Sequence, residues 1–358
     1  MEVKLWKTNI RMGGGQNTYK INPLFKDIKE YNKYLLSLIG IFVLLLSGII
    51  SYNYTNTSYA KWSSSTESKN IIKIHIKTGK SALEFTKDNV GIGGLEEITH
   101  EIDNTLQVDE KFKTEYRYRG GNVNNYVTFN NELWRMVGII PTEDTSDNVE
   151  YRFKIIKDES IGNFYWNSTR NNTDNSNNWL IATLNTYLNT TYYNTLSSNA
   201  KSMIGTTKYY LGGYKDSKMT SDVMWQYERK NEANKSNYYY DTNPVMQNEA
   251  SKKIALMYIS DYGYAASKKC TSDISEYNQD TNCKTPNNWI DKSEDTWLLS
   301  QYSSYSIYAF YISSTGNVSN FDVGVYKYAI RPTLTLSSNA KISGGVGTSS
   351  EPYQLSID

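Results

Sequence analysis

The chain has 358 residues, with 38 Lys and Arg against 37 Asp and Glu and a formal net charge of +1. Near-neutrality argues against a nucleic-acid partner, which would require a basic stripe. Two His and two Cys are a poor supply for a four-ligand zinc centre. The 32 tyrosines, with abundant Asn, Ser and Thr, suit a wet, adaptable binding surface, although coding sequence rich in A and T yields the same composition throughout a chain.

Residues 1–33 read as a short cytoplasmic tail. The run "YLLSLIGIFVLLLSGII", 34–50, carries no charge and is at the short end of what spans a bilayer. Lys4, Lys7, Arg11, Lys20, Lys26, Lys29 and Lys33 precede it, which orients the N-terminus inward. Tyr52 and Tyr54 follow as interfacial anchors, so a transmembrane helix over 34–54 is expected, with everything beyond it outside the cell membrane. "SYA", 58–60, offers the alternative of a signal peptide cleaved after Ala60, but the long charged region before the apolar run favours a retained anchor. Both alternatives export the remainder.

Residues 55–113 are expected to form a membrane-proximal strand and stalk. "IIKIHIKTG", 71–79, alternates Ile with Lys and His as a half-buried strand does, placing His75 on the solvated face. The charged stretch 95–112 reads as weakly helical. The main domain is expected over 114–358. "YVTF" and "LWRMVGII" form a hairpin across "NNE", and "YRFKIIKD" is a further strand. "NWLIATLNTYL", 178–188, is a helix capped by Asn177 or Asn178, with short helices over 197–204 and 221–230. "IALMYI", 254–259, reads as a strand ending at Ser260 and Asp261. "TWLLS", "YAFYIS", "GNVSNF", "AIRPTLTL" and "GGVGTSSEPYQL" supply a strand-rich C-terminal half. The fold class is α+β: antiparallel strands with a few short helices behind an N-terminal transmembrane helix.

Cys270 and Cys283 flank a short polar loop. Outside the cytoplasm a disulfide is the natural state, and two free thiols the alternative. Asp261 is either a site carboxylate, as general acid or calcium ligand, or a structural group. As a structural group it caps the turn before Gly263 or pairs with Arg135, Arg229 or Arg331; the structural role is favoured. No His lies after residue 100, which removes Ser–His and Cys–His nucleophiles from a domain starting at 114. The carboxylates Asp222, Glu228, Asp241 and Asp261 show no obvious pair, so no catalytic constellation stands out. Trp166 and Trp289, beside Asn-rich loops, are the candidate exposed stacking faces. Trp134 and Trp297, with the three arginines, are read as structural. No cofactor motif is present, and calcium is the one ion left open.

The ordered set "NNELWRMVGII", "KIIKDESIG", "LNTYLNTTYYNTL", "YERK", "IALMYISDYGYA", "WLLS", "GNV", "IRPTLTL" and "GGVGTSSEPYQL" resembles a family of uncharacterised, often membrane-anchored surface domains of low-GC gut bacteria. That family looks related to the C-type-lectin-like fold, which also hosts the formylglycine-generating enzymes. The resemblance covers about residues 114–358. It implies a lectin-like fold and no established activity. The family has Pro after "LS", where this chain has Gln301. The cysteines match no motif of the formylglycine-generating enzymes, so that activity is not carried over. The expectation is a surface protein binding a glycan or protein ligand through loops on a rigid scaffold. The alternatives are a carboxylate-based hydrolase of envelope glycans and a purely structural envelope protein.

Overall fold

The computed structural model describes residues 58–61, 73–76 and 79–357, except 107, 145, 147, 170–175, 217 and 230–252. The expected cytoplasmic tail 1–33, the expected membrane span at 34–54, most of the polar linker and Asp241 lie outside the described residues. Among the described residues no helix is long and apolar enough to cross a membrane.

The chain divides into two units, residues 1–78 and 79–358. In the first, β1 (Ser58–Lys61) pairs antiparallel with β2 (Lys73–Ile76), Ser58 opposite Ile76. The expected strand is therefore present, and the "SYA" segment is its partner.

The second unit begins at Gly79, not near Thr114, and the expected stalk is part of it. Ser81 and Glu84 close a capping box on the helix Ala82–Asn89, which buries Ala82 and Phe85. Residues 95–99, expected to be weakly helical, form β3 (Leu95–Thr99). β3 pairs along its whole length with β4 (Thr114–Tyr118). Its alternation of Leu95 and Glu97 against Glu96 and Ile98 is too irregular to reveal a strand in isolation.

β5 (Tyr126–Phe129), β6 (Glu132–Glu143) and β7 (Val149–Lys157) follow, and the expected hairpin is present. Its turn residues Asn130 and Asn131 both have positive φ, 53° and 60°, the primed turn that matches strand twist. One flank of β6 carries two strands in succession, β5 opposite Glu132–Arg135 and β4 opposite Gly138–Ile139. Buried Asn125 fills the gap: its carbonyl accepts from Met136 N–H and its amide donates to Met136 O, at 2.7 and 2.8 Å. β13 (Thr333–Thr335) borders β7 on the far side and completes a six-stranded antiparallel sheet.

The second sheet runs in the order β11 (Val318–Asp322), β10 (Tyr308–Ile312), β9 (Thr296–Gln301), β12 (Tyr328–Ala329), β8 (Asn163–Phe164). All of its pairings are antiparallel except β12 with β9. β14 (Ala340–Gly344) and β15 (Gln354–Ile357) form a separate ribbon.

The stretch expected as a strand at 254–259 is shorter than that and does different work. Ala255 exchanges both backbone hydrogen bonds with Thr333 of the six-stranded sheet, while Met257 O accepts from Leu299 N–H of β9. Four extended residues thus tie the two sheets together. The chain then turns into the helix Ile259–Ala265, every residue of which is buried. Gly263 lets this helix approach the helix Ser221–Arg229, since a Cβ there would sit 2.2 Å from Ser221 Oγ. The expected 178–188 helix breaks into a turn at Trp179–Ile181, capped by Asn178, and the helix Thr183–Tyr187, which continues into a π-helical turn over Leu188–Tyr192. Ser197 caps the helix Ser198–Met203.

Candidate functional site

Asp261 stands in the first turn of the Ile259–Ala265 helix, not at a strand end. One carboxylate oxygen accepts from Arg117 at 2.8 Å. The other accepts from Lys154 Nζ at 2.6 Å and from the Tyr258 backbone N–H at 2.7 Å. The expectation of a structural Asp that accepts a backbone N–H and pairs with an Arg agrees with this geometry in kind. The partner is corrected: it is Arg117, and none of Arg135, Arg229 or Arg331. Two cations and an N–H on one buried carboxylate leave no position for calcium there.

The pair belongs to a buried chain of alternating charges. Arg117 also grips Glu115, through Nε at 2.5 Å. Glu115 meets His100 Nε2 at 2.9 Å, and His100 Nδ1 meets Asp222 at 2.8 Å. From Lys154 to Asp222 six side chains alternate in sign, linking β7, β4, β3's C-terminal flank and two helices. Burial alone would lower the His100 pKa, but hydrogen bonds to Asp222 and Glu115 outweigh it and the net shift is upward. With carboxylates on both ring nitrogens the imidazole is a double donor, held charged. Its ring also stacks on Trp225 with centroids 3.6 Å apart. Burial would raise Glu115 and Asp261, yet Arg117 on the first and Lys154 and Arg117 on the second hold both below the usual carboxylate range. Burial pushes Lys154 down.

His100 therefore corrects the expectation that the main domain contains no histidine. Among the described residues no Ser or Cys hydroxyl or thiol bonds to its ring; its partners there are two carboxylates and Tyr264 O–H, at 3.3 Å. Of the described carboxylates considered for hydrolysis, Glu228 is wrapped by Ser260 N–H, Ser260 Oγ and Ser300 Oγ, and burial raises its pKa. Asp261 is sealed, and only Asp222, with its side chain 42% exposed, meets solvent. Beside Lys154 lies a half-open depression of about 380 Å³, solvent space included, bordered by Glu143, Lys208, Tyr210, Arg229 and Tyr258. Its charges pair across it: Lys208 reaches Glu143 at 3.4 Å and Tyr210 O–H donates to Glu143 at 2.7 Å. Among the described residues no group of three or more His, Cys, Asp or Glu side chains could hold a metal ion.

The tryptophans expected at the surface are inside. Trp166 is fully buried and donates to Leu298 O at 3.1 Å; Trp289 is 6% exposed and donates to Tyr118 O at 2.7 Å. Each indole crosses from one segment to another, so neither offers a free face. Trp134, Trp297, Arg135, Arg229 and Arg331 are buried, as expected. Arg135 lies over the rings of Tyr126 and Trp289, and Arg229 over Trp225. Arg331 binds the carbonyls of Lys157 and Ile290, and burial pushes its pKa down to about 10. Cys270 and Cys283 are disulfide-bonded, with Cα atoms 4.9 Å apart.

Exposed aromatic surface occurs instead on the five-stranded sheet. Tyr302, Tyr305, Tyr308, Phe321, Tyr326 and Tyr328 form a continuous path of ring contacts, with centroid separations from 4.9 to 6.4 Å. Tyr305 is 60% and Tyr326 52% exposed, and the others are partly exposed. Tyr311 stacks on Tyr328 and both cover buried Trp297. Tyr308 and Tyr311, three apart on β10 and so on opposite faces of the strand, are both partly exposed. The loop bearing the first three rings is fixed from beneath. The side-chain amide of buried Asn177 points at the carbonyls of Tyr302, Tyr305 and Tyr308, at 3.2, 3.1 and 2.6 Å.

Sequence reasoning missed this array because its rings come from three strands and two separate loops. The available signals were the density of Tyr over 302–328 and the three-residue spacing of Tyr308 and Tyr311. No protein-family model, curated protein or solved structure matches the chain.

Proposed function

We propose that the chain is a membrane-anchored surface protein whose second unit binds an extracellular ligand on the aromatic array of the five-stranded sheet. The observation that carries this reading is the unbroken path of half-exposed rings from Tyr302 to Tyr328 on a backbone pinned by Asn177. Tyrosine offers a large contact face with few rotors and a polar tip, so an exposed array costs little to order and stays soluble. A pinned backbone removes part of the ordering cost of binding. The uncharged 34–50 run supports the tether, and the Cys270–Cys283 disulfide suits an oxidising exterior. The lectin-like resemblance belongs to the same proposal.

The test compares the detergent-solubilised full chain with its Tyr305→Ala/Tyr326→Ala variant on arrayed glycans and arrayed extracellular proteins. Both rings are exposed, so the variant keeps its core. Binding present in the parent and lost in the variant is expected. Binding that survives both substitutions would place the ligand elsewhere.

A further inference from the structure

We propose that two turn tips of the second unit, carrying Ile92 and Val346, rest on the outer face of the lipid bilayer. This inference rests on the membrane-anchored part of the reading above and is independent of the aromatic array.

The tips themselves give the first argument. Ile92 is 61% and Val346 51% exposed, and Leu83 and Val90 extend the exposed aliphatic surface along and just beyond the helix Ala82–Asn89. The two turns are neighbours, because Gly93 O accepts from Asn124 N–H and Gly347 O from Tyr126 N–H, both at 2.8 Å. Both glycines have positive φ, and a Cβ on either would strike Asn124, at 2.9 and 2.3 Å. The turns are therefore locked onto one short segment, and each holds a branched aliphatic residue out to solvent where turns ordinarily carry polar ones. No charged residue lies within 89–95 or 343–350. Such a tip enters the boundary between headgroups and acyl chains without burying an unpaired charge.

The tether gives the second argument and selects the bilayer as the occupant. The expected span ends at Tyr54, and the second unit begins at Gly79. Pairing of β1 with β2 folds most of the intervening chain back on itself, with Ser58 opposite Ile76. Four residue steps remain before Ser58 and three after Ile76, which with one strand spacing reach at most about 30 Å. Residues 79–358 form a body about 50 Å across. A tether shorter than that width keeps the side where the chain enters turned toward the membrane.

That entry point borders the apolar surface. Lys80 exchanges both backbone hydrogen bonds with Ile342, at 2.8 and 2.9 Å. Leu83 follows Lys80 by three residues, and Val346 follows Ile342 by four. A few aliphatic side chains bind a bilayer weakly, but a short tether makes the contact intramolecular and supplies a high effective concentration. A free protein partner or a second copy has no such advantage at this surface.

The experiment places the full chain, one copy per disc, in phosphatidylcholine nanodiscs. Its two cysteines are disulfide-bonded, so Ile92→Cys or Val346→Cys supplies one free thiol for an environment-sensitive fluorophore. Val325→Cys is the control, an exposed aliphatic position in the turn after β11. Doxyl-labelled lipid should quench the probe at 92 and at 346 about threefold more strongly than at 325. Ile92→Asp should leave the melting temperature unchanged, since the side chain is exposed, and remove the quenching at 346, since a carboxylate resists insertion. Equal quenching at all three positions, or none at 92 and 346, overturns the inference, as does quenching at 346 that survives Ile92→Asp. A blue shift that requires two copies in one disc makes a second copy the occupant and also overturns it. Co-elution of chain and disc is read separately. A chain that does not co-elute refutes the anchoring reading and this inference together, whereas co-elution with unquenched tips refutes this inference alone.

Discussion

Removing the charge of Asp261 would leave Arg117 and Lys154 buried against each other with no anion between them. Both are almost wholly inaccessible, so water cannot replace the lost partner. Asp261→Asn should therefore cost about 3–5 kcal/mol, read from denaturant unfolding followed by tryptophan fluorescence. Adding Lys154→Met to it should restore part of that loss, because one stranded cation goes with it. His100 gives the same network a pH signature. Its folded pKa lies above its ordinary 6.5, so its contribution is fully present below pH 6.5 and is lost as pH rises through the folded value. Glu115 and Asp261 act in the opposite sense. Their folded values are depressed, so their contribution is present above the ordinary 4.5 and 3.8 and is lost as pH falls through the folded values. Thermal melts from pH 5 to 9 should show the parent losing stability on the alkaline side relative to His100→Gln. Identical profiles would mean that the imidazole is neutral in the folded protein.

At the level of elements, close approach explains more than propensity does. Gly138 sits where β4 meets β6, and a Cβ there would lie 2.1 Å from Tyr116 O, a backbone atom that cannot swing away. Gly138→Ala should cost about 1–3 kcal/mol by overpacking, measured by the same unfolding assay. Reducing the Cys270–Cys283 bond, which closes a short loop, should cost about 3 kcal/mol, seen as a lower melting temperature in dithiothreitol. These elements also show what the sequence could reveal. The Asn130–Asn131 hairpin, β7 and β9 were legible because turn chemistry and apolar periodicity agree there. β4 was harder to read for content: in "TEYRY" the charged Glu115 and Arg117 face inward while Tyr116 is half-exposed, the reverse of what hydrophobicity suggests. Such an inversion is stable only because Asp261 and Lys154 arrive from distant segments to neutralise it, and no local pattern records that. The 254–259 stretch failed for a related reason: its apolar run is buried on all sides, and period alone cannot separate a strand from the start of a buried helix. The candidate site was least legible of all. Burial, not ring type, decides whether an aromatic residue can meet a ligand, and the two tryptophans singled out proved to be cross-links in the interior.

For the molecule as a whole, the position of Gly79 as the start of the second unit has a direct consequence. A fragment beginning at Thr114 would lack β3 and the Ala82–Asn89 helix. It would also lack Phe85, Leu95, Leu106, Val108 and Phe112, all buried to 6% exposure or less. Full burial of side chains of this size contributes about 1.5–3 kcal/mol each. Their joint loss is comparable with the whole net stability of an ordinary domain, about 5–15 kcal/mol. The same truncation removes His100 and so leaves Glu115 and Asp222 without the cation between them. It also bares the edge of β4 that β3 covers, and an uncovered edge invites pairing with another chain. Residues 79–358 should therefore unfold in one cooperative transition, whereas residues 114–358 should be aggregated or lack a cooperative melt by calorimetry. A sharp, reversible melt from the shorter fragment would show that the first strand and helix decorate the core and do not complete it.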